Sequence, residues 1–85
     1  MANKAAIERI EAERRAVIKV ANKLYTPMDF YTLKSEVEIQ SQKLIDRLSI
    51  MHVLSELCDK NFIKYERGKY AKTTDDDLCE IFGIK

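Results

Sequence analysis

The chain has 85 residues, of which 46% are hydrophobic and 34% charged, and its formal net charge is +1. A chain this short fills one core, and its composition is that of a folded domain rather than a disordered one. No apolar run is long enough to span a bilayer, and the opening MANKAAIERIEAERR has no signal-type apolar stretch, so one cytoplasmic domain over residues 1–85 is expected.

The first helix is predicted over residues 3–25, where Ile7, Ile10, Val17, Ile18, Ala21, Leu24 and Tyr25 fall on one stripe. Glu11 and Arg15 stand at i,i+4 on the polar side and support it. Arg14 interrupts the stripe, either snorkelling at the core edge or meeting an acid of a partner subunit. Thr26-Pro27 ends this helix and opens a second over 28–38, with Phe30, Leu33 and Val37 inward and Asp29, Glu36 and Glu38 outward. Ile39 to Lys43 reads as a link to the third helix, into which the second helix can continue in part.

The third helix is expected over 46–60, with Asp46 as its N-cap and Ile50, Met51, Leu54, Leu57 and Cys58 inward. Asn61 is suited to a left-handed C-cap. Phe62 to Tyr65 and Lys69 to Lys72 then alternate apolar and basic, so a two-stranded hairpin over 62–72 is predicted, folded at Glu66-Arg67-Gly68. Thr74 is expected to cap a last short helix over 75–82, stopped by Gly83.

Charge is unevenly placed. Residues 1–25 carry +3 and 43–72 carry +3, while 26–42 carry −2 and 73–85 carry −3. Positive charge therefore gathers on the first helix and on the helix–hairpin segment, the pattern nucleic acid attracts. Cys58 and Cys79, with the single histidine His52, are too few and too scattered for a four-ligand zinc site, and no cofactor is expected. The chain has no Gly-rich phosphate loop and no nucleophile–base set. His52 and Cys58 lie about 120° apart around a helix, so they form no dyad. An enzyme is not expected.

A helix, a tight turn and a basic hairpin, in the order SIMHVLSELCDKNFIKYERGKYAK, resemble the winged helix-turn-helix superfamily. Within it, Ser49 to Ile63 is similar to the recognition helix and first wing strand of ferric-uptake-regulator-type repressors. Their Thr-Val-Tyr-Arg-x-Leu helix is followed by an acid and then Gly-Leu-Ile. Ser49 stands for the threonine, Met51 for the tyrosine, His52 for the arginine and Asn61 for the glycine, while Asp46 falls where that family often has serine. The resemblance implies a mainly α fold with a small β-hairpin: a three-helix core, a two-stranded wing and a short C-terminal helix. The dimerisation domain and metal ligands of those repressors have no counterpart here, so metal sensing is not implied.

That architecture lays the third helix in the major groove of double-stranded DNA and sets the wing on the backbone. Arg47 is the first candidate for a base or phosphate contact, with Ser49 and His52 on the same helix. Lys43 suits phosphate before the helix. Arg67 and Lys69 at the wing tip suit phosphate or a narrow minor groove, and Lys64 and Lys72 add phosphate contacts from the strands. Beside each stands a plainer reading: a solvated charge, a histidine at the core margin, and Tyr65 and Tyr70 packing the wing to the core. Specific repression calls for a homodimer, joined through Ile7 and Ile10 of the first helix or through Leu78, Ile81, Phe82 and Ile84. The competing class is a winged-helix module that binds protein instead of DNA.

Overall fold

A computed structural model describes residues 4–84. The expected helix start at Asn3 lies outside the described residues. Among these are α1 (Lys4–Ala21), α2 (Phe30–Ser41), α3 (Arg47–Asp59) and α4 (Leu78–Ile81), with a three-stranded antiparallel sheet. Its strands are β1 (Met28–Asp29), β2 (Ile63–Glu66) and β3 (Lys69–Lys72), in the order β1-β3-β2. The chain is thus mostly helical with a small antiparallel sheet.

Helix α1 ends four residues before the expected Tyr25. Its ladder tightens into turns, with the N–H groups of Lys23 and Leu24 donating to the carbonyls of Val20 and Ala21 at 3.0 and 3.1 Å. Leu24 still reaches the core, but Tyr25 is 66% exposed and not part of the inward stripe. Buried positions on α1 begin only at Ala16. Ile7 and Ile10 continue the stripe beyond the body of the molecule and face solvent.

Pro27 does not open α2. Residues 28–29 are held extended instead, because Met28 pairs with Tyr70 and Asp29 with Lys69 across β1 and β3. Asp29 then caps α2, its carboxylate accepting from the Thr32 N–H at 2.8 Å. That bond, made to the ionised form, holds the Asp29 carboxyl below its usual range. The far end runs three residues past the expected Glu38. Asp46 caps α3 as expected, accepting from the Leu48 N–H at 3.1 Å.

Three helices stop in the same way. Gln42, Asn61 and Gly83 take φ of 59°, 63° and 68° after α2, α3 and α4. In each case the next residue's N–H reaches five positions back: Lys43 to Glu38, Phe62 to Leu57 and Ile84 to Cys79, at 3.2, 3.0 and 2.7 Å. This is the Schellman closure, which satisfies carbonyls left over at a helix end. Gln42 adopts it without the relief glycine or asparagine gives.

The hairpin registers Glu66 against Lys69 and Tyr65 against Tyr70, so its loop is just Arg67-Gly68. Both have positive φ, 54° and 78°, the type I′ geometry that matches strand twist. The last helix is shorter than expected. Thr74 accepts from the Asp76 N–H at 3.2 Å in a local turn, while Asp77 caps α4 through Cys79 and Glu80. With two N–H partners, Asp77 outcompetes Thr74 as the helix start.

The core joins every helix: Val17, Ile18, Ala21 and Leu24 meet Leu33, Val37, Ile50, Leu54, Leu57, Ile63 and Leu78, all buried. Ile45 in the α2–α3 link is buried too, with its N–H donating to the Glu38 carboxylate at 3.1 Å. Two residues of α3 expected inward also differ. Met51 is exposed, and Cys58 is half-buried at the core edge. Phe82 and Ile84 pack on the core together with the buried Leu78, so three of the C-terminal apolar set close the monomer, while Ile81 is exposed. No helix among the described residues is long and apolar enough to cross a membrane.

Candidate nucleic-acid interface

Helix α3 carries Arg47 on one flank and Ser49 and His52 on another. Ser49 and His52 line a groove with Ile10, Glu13 and Arg14 of α1, so they look toward the first helix. Arg47, in the first turn, is exposed on the other flank. Three turns later the same flank carries Cys58, close enough to Tyr70 of β3 to help raise its phenol, after burial as the larger cause. The Cys58 thiol is itself pushed up by burial and then by Asp59. Tyr70 thus lies near the Cys58 end of that flank, while His52 lines grooves with α1 and with Ser55, Glu56, Asp59 and Lys60.

The corner between α3 and the hairpin is rigidly built. Asn61 is left-handed, its carbonyl accepts from the Thr73 hydroxyl, and its neighbour Phe62 accepts from the Thr73 N–H at 3.1 Å. Phe62 also stacks edge-on against Phe82, ring centroids 5.6 Å apart. The base of the hairpin is thus tied to the end of α3.

Along the hairpin the cations differ in how free they are. Arg67 sits exposed in the loop. Lys69 is exposed but has an acid on either side, facing Glu66 across β2 and Asp29 across β1. Lys64 pairs with Glu66 at 3.2 Å. Lys72 is committed inward: its ammonium donates to Asn22 Oδ1 at 2.9 Å and Tyr25 OH at 3.0 Å, and lies 4.5 Å from the centroid of the Tyr25 ring. Lys43 lies 3.9 Å from Glu13, a loose surface pairing. Tyr65 is exposed and rests on the half-buried Tyr70 at 4.7 Å, so of the two tyrosines it is Tyr70 that packs toward the core.

Two features carry no local signature in the sequence. Asn22 joins three elements, accepting from Lys72 and from the Leu78 N–H at 2.8 Å while its amide donates to Asp77 at 2.9 Å. Its partners are fifty and more positions away. The second is an apolar outer edge at the start of α3, where Leu44 is 88% and Leu48 67% exposed.

Arg14 proves to be an internal tie. It holds the Glu56 carboxylate bidentately, with the Nη2–Oε2 arm at 2.7 Å, and its guanidinium lies 5.5 Å from the Phe82 ring centroid. No cluster of three or more His, Cys, Asp or Glu side chains suited to a metal ion occurs among the described residues. Comparison with protein-family models, with curated proteins and with solved structures finds no match to this chain.

Proposed function

We propose that this chain is a winged-helix DNA-binding module, a small transcriptional regulator of cytoplasmic DNA. The order α1-β1-α2-α3-β2-β3 with a hairpin after the third helix supports that architecture. The observation that carries it is the corner at Asn61, left-handed and tied to Thr73, which joins the end of α3 to a hairpin whose loop exposes Arg67. A helix end and a cationic hairpin so joined can meet one duplex together, α3 in the major groove and the hairpin on phosphate.

The contacts rank by freedom. Arg47 is the base-reading candidate, and Arg67 and Lys69 are the phosphate contacts. Lys43 and Lys64 add charge less strongly, since each shares it with an acid. Lys72 acts by bracing the hairpin. Ser49 and His52 face α1 and are placed to support rather than to read.

Titration of labelled random duplex at low and at moderate salt tests this. Binding at low salt is expected, with log K falling by roughly 0.9 per phosphate neutralised. The Arg67→Ala/Lys69→Ala pair should weaken it alike on all sequences and flatten the salt slope by about 2. Folded protein that binds no duplex at low salt overturns the proposal.

A second reading rests on Leu44, Leu48 and Met51, which give the outer side of α3 an apolar character unusual for a groove-reading helix. On that reading α3 docks on protein, and affinity for the partner is nearly independent of salt.

A further inference from the structure

We infer that the projecting half of α1 is a self-complementary seam that pairs antiparallel with α1 of a second copy. The observation is an apolar stripe that outruns its own core. Burial on α1 begins at Ala16, yet the stripe continues through Ile10, 58% exposed, and Ile7. Ile10 opens onto a groove of about 560 Å³ shared with Leu48, Ser49, His52 and Val53. The seam stops at Arg14, which is already engaged by Glu56.

The charges choose the occupant and its direction. On the helix Lys4 and Glu11 lie seven positions apart on one flank of the Ile7–Ile10 seam. Neither has an ion-pair partner among the described residues. An antiparallel second copy sets Ile7 against its Ile10, and brings Lys4 against its Glu11. The two-fold axis repeats both contacts, so the surface complements itself. A parallel pair would instead set Ala6 against Glu11, with no opposite charge to match. The groove between Ile10 and Leu48 receives Ile7 of the second copy, covering the start of α3 on its α1 flank. Arg47 and the hairpin are not among the residues that line this groove.

Sedimentation equilibrium on the 85-residue chain tests the seam. A dimer is expected, and Ile10→Asp should give monomers with an unchanged helical circular dichroism spectrum. Lys4→Glu alone and Glu11→Lys alone should each weaken association roughly tenfold, since each turns two attractive pairs into repulsive ones. Combining them should restore it to within about threefold of the parent. A monomeric parent at several hundred micromolar, a dimer that survives Ile10→Asp, or a double reversal no better than the single ones would each overturn the assignment.

Discussion

Glu56 is held from two sides: by Arg14 from α1, and by Lys60 one turn on at 3.1 Å. The Arg14 hydrogen bonds, aided by those from Lys60, draw its carboxyl down from the ordinary 4.5 to about 2. A carboxylate whose folded pKa lies below its unfolded one stabilises the fold above the unfolded value. That stabilisation drains away as acid protonates it. The fold should therefore lose stability between about pH 4.5 and pH 2, and Glu56→Gln should remove this part of the loss. Thermal melts of both proteins across that range check it. A parallel acid dependence in the two would contradict the role given to the pair. Asp46 and Asn61 were readable as caps because each bonds within its own turn. The Arg14–Glu56 pair spans 42 positions and Lys72–Asn22 spans 50, so spacing along the chain shows the charges but not the partners.

Among the elements, α3 was legible because burial imposes a clear period on it, and the hairpin because Gly68 marks its turn, for its strands show no alternating burial. β1 was not, since two residues carry no period, and it exists because β3 offers an open edge to Met28 and Asp29. That pairing also explains why α2 starts at Phe30 instead of beside the proline. The Arg67-Gly68 loop invites a test that separates charge from fold. Arginine at φ 54° is strained, whereas asparagine before glycine suits a type I′ turn. Arg67→Asn should raise stability by about 0.5–1 kcal/mol in denaturant titration. The same change should weaken duplex binding, because it removes the exposed charge. Weakened binding in a more stable protein cannot be ascribed to damage to the fold.

Across the molecule, buried and exposed leucines mark two different jobs. Leu54 is 1% exposed at the centre of the core and Leu48 67% exposed, though they stand six positions apart on α3. Urea unfolding should find Leu54→Ala costing about 2–5 kcal/mol and Leu48→Ala within about 0.5 kcal/mol. If Leu48→Ala nonetheless impairs association, the outer edge of α3 serves contact rather than folding. The general layout of helices and hairpin could be read from periodicity, but which apolar residues stay outside depends on where neighbouring elements end. Ile7 and Ile10 continue a stripe whose covering runs out, and nothing in their spacing says so. One consequence follows from the aromatic pair on the hairpin. The chain contains no tryptophan, and Tyr65 and Tyr70 face each other across β2 and β3 with ring centres 4.7 Å apart. Two phenols this close couple their ultraviolet transitions, so the hairpin carries its own chiroptical signal, and a duplex settling beside Arg67 would register there without any attached dye.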